Sequence, residues 1–203
     1  MAGAWAGGGG MEESEVKKRG SPLLAIAILV AALGLGAGVL RLFLAGAADP
    51  LDGNEQEARR VLDSVATLER LWRDGDADGN GVADWWTADW SGFHRAIAKN
   101  GKPLAMTSGA IAAADASPLP PGPKMSAALP RAPHVGYWFR AIAVEGGYAF
   151  AAFPADGVTP GRRVFITRED GRLWAKEGAE APAAWPAPTD EGMQAAGWTL
   201  ARP

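Results

Sequence analysis

The chain has 203 residues, with 20 Lys and Arg against 23 Asp and Glu, a formal net charge of −3 and 48% apolar residues. That length suits one modest domain and a further segment, and the near-balanced charge excludes the clustered basic footprint that nucleic-acid binding needs to release counterions. There is no cysteine, which excludes disulfides, thiolate zinc sites, lipid attachment through sulfur and a cysteine nucleophile.

Residues 1–20 read as a short cytoplasmic tail. Glu12, Glu13 and Glu15 are offset there by Lys17, Lys18 and Arg19. MAGAWAGGGG has no pattern that would fold, and Met11 is an alternative start. Residues 21–48 read as a single transmembrane anchor. From Pro22 to Leu40 there is no charge, and about 19 apolar residues come close to the ~30 Å hydrocarbon core. Arg41 can snorkel to the interface. The basic cluster before the span places the N-terminus inside. A cleaved signal peptide is the competing reading, with Ala45-Gly46-Ala47 as the small-residue site. Both readings put residues 49–203 outside the cytoplasm. Gly34 and Gly38 have the spacing of a helix-packing face, which an Ala/Gly-rich span also produces by chance.

Within 49–203, Asp49-Pro50 is read as a break, with Asn54 as the N-cap of a helix over 54–73. Ala58, Val61, Leu62, Val65, Leu68 and Trp72 fall on one helical face. Arg59, Arg60, Asp63, Glu69 and Arg70 are assigned to the other. An Asp/Gly loop follows over 74–84, then a short helix over 90–99 (WSGFHRAIAK) and a Pro/Ala/Gly-rich stretch over 101–135, in which PLPPGP (118–123) reads as an extended connector. Four short strands come next, at 137–144, 148–153, 163–168 and 172–176. Asp170-Gly171 marks the last hairpin. The expected fold is α+β, with an amphipathic helix covering an antiparallel meander of about four strands. The tail over 178–203 is expected to wrap the surface and to dock Trp185 or Trp198.

The strongest chemical signal is the run Asp74 to Asp84. Oxygen donors at alternating positions, with Gly where the chain must turn sharply, are what a Ca²⁺ loop requires. The register starting at Asp76 puts side-chain oxygens of Asp76, Asp78 and Asn80 at the first, third and fifth positions. The Val82 carbonyl then falls at the seventh and Asp84 at the ninth. The twelfth position is Thr87, so Asp89 is the substitute expected to reach in. Without a metal, the same run is a solvated acidic turn in which like charges repel.

His94 and His134, the only histidines, are too few for a zinc site, and no G-x-S-x-G elbow accompanies them. Catalysis is therefore not expected. A tethered carbohydrate-binding module or hydrolase, using exposed Trp85, Trp86 and Trp90 beside the loop, is the alternative reading.

The passage ATLERLWRDGDADGNGVADWW, running from helix to acidic loop behind an N-terminal apolar helix, resembles type IV pilin-like proteins and pseudopilins of bacteria. The run GYWFRAIAV, YAFAAFPADG and RRVFITREDGRLWAK is similar to a set of uncharacterised bacterial secreted proteins. The resemblance implies a pilin-like ectodomain, integral to the membrane through one span, with an envelope or secretion protein as partner. Pilins are processed after a Gly and carry Glu at the fifth mature position. Gly20 would be the processing point here, and the fifth residue after it is Ala25, so the resemblance points to the ectodomain more than to a filament subunit.

Overall fold

The computed structural model describes residues 50–155 and 161–202. The expected tail (1–20) and anchor (21–48) lie outside them, and among the described residues no helix is long and apolar enough to cross a membrane. The described residues belong to one compact unit with α+β architecture. Its elements are α1 (Pro50–Gly75), α2 (Gly92–Arg95), α3 (Gly109–Ala113), β1 (Tyr137–Ala141), β2 (Ala149–Pro154), β3 (Arg163–Arg168), β4 (Leu173–Glu177), α4 (Asp190–Ala195) and β5 (Thr199–Arg202).

Helix α1 buries the face anticipated from spacing: Ala58, Val61, Leu62, Val65, Leu68 and Trp72 are all at most 6% exposed. It begins at Pro50, earlier than the expected cap at Asn54. At the first helical position the missing N–H would have had no partner anyway. The C-terminal end is a Schellman arrangement. Asp76 takes φ +43, its N–H bonds the Arg73 carbonyl, and the Ala77 N–H reaches the Trp72 carbonyl.

The sheet is an all-antiparallel meander in the order β1-β2-β3-β4-β5. Register explains how it holds a helix. Phe139 pairs Ala152, Ala152 pairs Phe165, and Phe165 pairs Ala175, so large and small side chains alternate along one row. Leu62, Val65 and Leu68 of α1 join the same buried cluster. The opposite face carries Ala151, Ile166 and Trp174 in register, and the C-terminal tail covers it with Met193 and Trp198. Both faces of the short meander are thus buried, which is why β2 and β3 read as nearly continuous apolar runs.

Three sequence-based expectations are corrected. The sheet has five strands, not about four. The tail over 178–203 does dock both tryptophans against the sheet face, but it also supplies β5 beside β4. Its path is held by Arg140, whose guanidinium donates to the Ala181 and Pro182 carbonyls, and by a parallel bridge between Ala143 and Ala184. The helix expected over 90–99 survives only as Gly92–Arg95. Beyond it the backbone turns extended, because Ile97 bonds the Lys124 carbonyl while Ala98 bonds Lys102 and Leu104 bonds Ala96 across an Asn100-Gly101 turn. The Pro/Ala/Gly-rich stretch over 101–135 contains α3. Ser108 caps α3 by accepting from the Ile111 N–H, and Ala112 and Ala114 are buried.

Candidate metal loop

The acidic loop begins where α1 ends, and one residue serves both. Asp76, in its left-handed conformation, closes the helix and turns a carboxylate oxygen inward to accept from the Gly81 N–H at 3.1 Å. Asp78 accepts from the Asn80 N–H at 3.2 Å, and Asn80 in turn accepts from the Val82 N–H at 2.6 Å. The Asn80 amide donates to Asp84 at 3.3 Å. Gly79 and Gly81 take φ +72 and +79, conformations that glycine adopts without steric cost. Asp76, Asp78, Asn80 and Asp84 therefore line one turn linked by short-range bonds. Val82 belongs to it through its backbone, since its side chain is 57% exposed.

The structure does not gather these carboxylates into a cage. Among the described residues no three His, Cys, Asp or Glu side chains converge on a point suited to a metal ion. Two lysines supply positive charge instead. Lys99 lies 2.7 Å from Asp76 and Lys124 lies 3.8 Å from Asp78. The Lys99 stem crosses the loop so closely that a Cβ at residue 79 would sit 2.6 Å from its Cγ. The Lys99 ammonium, then the Gly81 N–H, hold the Asp76 carboxyl below its ordinary range. Neither lysine was anticipated, because each comes from a turn far along the chain.

Asp89 does not reach into the loop. It is 1% exposed and belongs to a separate buried polar network. It accepts from the Gly92 and Leu119 N–H groups and the Ser91 hydroxyl. Arg95, also buried, lies 4.0 Å from Asp89 and donates to the Ser91 hydroxyl and the carbonyls of Leu119, Ser126 and Ala127. Asp115 accepts from the Ser91 and Ser117 N–H groups, and burial first, with the Asp89 charge adding to it, pushes its carboxyl up to about 6. Nearly every bond here ties a side chain to backbone, so the network fixes the irregular path between α1 and β1.

Of the tryptophans assigned to a sugar-stacking surface, Trp85 and Trp86 are half-buried and Trp90 is not exposed. Trp90 is fully buried and stacks on Phe139 at 5.0 Å. Trp86 packs on Trp72 at 4.6 Å and donates its indole N–H to the Asp89 carbonyl. Trp85 meets the Arg73 guanidinium at 4.5 Å and the Tyr148 ring at 5.3 Å. The exposed platform expected of Trp90 is therefore absent, since its ring fills the interior of the core. The imidazoles have separate partners: His94 Nδ1 meets the Thr107 carbonyl at 2.7 Å, and His134 Nε2 lies 3.4 Å from Glu57.

Glu69 is a correction of a different kind. Assigned to the solvent side of the helix, it is 0% exposed. One oxygen accepts from the Trp86 N–H at 3.0 Å, and the other is buried with no hydrogen-bond partner. Burial, reinforced by the Asp84 charge and opposed by the Trp86 N–H, raises the carboxyl to about 8. The signal was present in the spacing, for Glu69 lies four residues after Val65 and three before Trp72, both on the buried face. No protein-family profile, curated protein or solved structure matches the chain.

Proposed function

We propose that this is a non-enzymatic protein anchored in a membrane by residues 21–48, presenting a pilin-like domain outside the cytoplasm. Its loop over 76–84 binds Ca²⁺ as a structural ion, and its surface engages an envelope or secretion partner. The uncharged run from Pro22 to Leu40 supports the anchor. A long N-terminal helix lying against an antiparallel meander supports the pilin-like assignment.

The observation that carries the calcium reading is the inward bond from the Gly81 N–H to Asp76. It curls the loop so that donors at alternating positions line one turn, with hard oxygen ligands suited to Ca²⁺. In this reading Asp76, Asp78, Asn80 and Asp84 supply side-chain oxygens and Val82 its carbonyl. A bound ion displaces Lys99 from Asp76 and draws the carboxylates together. That competition, with Thr87 in place of a bidentate Glu, sets a weak affinity on the order of 10⁻⁴–10⁻³ M. The ion would then tie the end of α1 to the segment carrying Trp85 and Trp86.

Thermal melting of the full chain in calcium and in chelator tests this. At ten to a hundred times such a dissociation constant, linkage adds roughly 1–3 kcal/mol, or ~3–10 °C in Tm at this chain length. Asp76→Asn should abolish most of the increment. An unchanged Tm in both proteins removes the metal from the reading.

A further inference from the structure

Two Asn-Gly steps occur in the described residues, Asn80-Gly81 in the acidic loop and Asn100-Gly101 at the turn after Ala98. Both asparagines are exposed, and both glycines take positive φ, +79 and +76. Because glycine has no Cβ to obstruct the approach, an Asn-Gly step is where a backbone nitrogen most easily reaches a side-chain carboxamide. We propose that Asn100 is a site of spontaneous deamidation and that the acidic loop protects Asn80 from the same reaction.

The chemistry needs only water. The Gly101 nitrogen attacks the Asn100 Cγ, and a new N–Cγ bond closes a five-membered imide. The bond from Cγ to the side-chain nitrogen breaks, and that nitrogen leaves as ammonia, carrying the proton lost by the backbone amide. Water then adds to either imide carbonyl and reopens the ring to aspartate or isoaspartate. No oxidant, reductant or metal takes part.

Three features separate the two sites. The first is the charge around the attacking amide, which must lose its proton. The Gly81 N–H donates to the Asp76 carboxylate at 3.1 Å, and an anion there opposes deprotonation. The Gly101 N–H donates to the neutral Ala98 carbonyl, with Lys99 and Lys102 close along the chain. The second is the leaving group. The Asn80 amide nitrogen is held by Asp84 at 3.3 Å, whereas at Asn100 the bonded atom is the carboxamide oxygen, which accepts from the Lys102 N–H at 3.0 Å. The third is tethering. Asn80 is bonded at both ends of its carboxamide, since its oxygen also accepts from Val82, so swinging Cγ toward Gly81 breaks both bonds. Polarisation of the carbonyl does not distinguish the sites, as each oxygen accepts one backbone N–H.

The product has a structural consequence. A carboxylate created at residue 100 adjoins Lys99, whose ammonium lies 2.7 Å from Asp76. The new charge competes for that ammonium, so deamidation reports on, and weakens, the link between this turn and the loop.

The test is peptide mapping by mass spectrometry of the full chain aged at mildly alkaline pH with chelator present, folded and in denaturing urea. In the folded protein, conversion at Asn100 is expected at least about tenfold faster than at Asn80, equivalent to ~1.4 kcal/mol in barrier. In urea the two rates should converge, because the sequence step is the same. Asp76→Asn, which removes the anion from the Gly81 N–H, should accelerate Asn80 in the folded protein. Equal folded-state rates, faster reaction at Asn80, or conversion at neither site while both react in urea would overturn the assignment of Asn100. An Asp76→Asn chain that still protects Asn80 would overturn the role given to the loop.

Discussion

Glu69→Gln is the substitution whose effect on stability is most directly set by geometry. Glu69 lies within the apolar interior between α1 and the Trp86 segment, with one oxygen unbonded, and its carboxyl is raised from an ordinary 4.5 to about 8. Between those values the folded chain holds a proton that the unfolded chain has released. Stability from this group is therefore fully present below pH 4.5, falls as pH rises toward 8, and is flat beyond it. At ~1.4 kcal/mol per pH unit the whole window amounts to at most roughly 4–5 kcal/mol. The part between pH 6 and 8 is about 3 kcal/mol, or ~6–12 °C in Tm for a chain of this size. Glutamine keeps an acceptor for the Trp86 N–H and cannot ionise, so it removes the slope. The assay is a Tm series by circular dichroism from pH 6 to 9 on both proteins. The Gln variant should already melt above the native protein at pH 6, by the roughly 2 kcal/mol lost between pH 4.5 and 6, and by progressively more toward pH 8. Asp115, raised to about 6, adds a slope common to both proteins that lies mainly below this window. Parallel Tm curves would refute the argument that Glu69 is buried without a compensating partner.

Two further outcomes concern the parts of the fold that no local pattern supplies. Arg95→Met leaves Asp89 and four hydrogen-bond acceptors without their guanidinium. It should cost ~3–5 kcal/mol in urea denaturation, with partial recovery when Asp89→Asn is added; additive losses in the double variant would contradict coupling between them. Ending the chain after Gly178 removes α4 and β5 and uncovers Ile166 and Trp174. The exposed apolar face should make the product aggregate, and size-exclusion elution as a monomer with native Tm would show that the tail is dispensable.

What could be read from the residues alone were features set within a turn or two of chain. The buried stripe of α1 is one, because positions three and four apart share a helical face regardless of what packs on it. The four strands at 137–176 and the Asp170-Gly171 turn are others: Gly171 adopts φ +73 and bonds back to Arg168 as that dipeptide prefers. The bend of the acidic loop also follows from local chemistry, with Asp76, Asp78 and Asn80 each accepting a backbone N–H a few residues on. What covers that loop does not, for Lys99 and Lys124 arrive from separate turns.

Tertiary structure decided the rest through partners distant in sequence. Arg95 ends its helix early because its side chain and the following backbone are claimed by residues 119–127. Trp90 is interior because Phe139 and Phe150 surround it. Four residues at the end of the tail become β5 only because the edge of β4 offers them hydrogen bonds. Glu69 lies between these cases: spacing put it on the buried face, while its polarity argued for water. The segment carrying Trp86, folding back over the helix, decided which prevailed. Local periodicity is a property of neighbours along the chain, whereas desolvation and long-range pairing depend on a path that no short window contains.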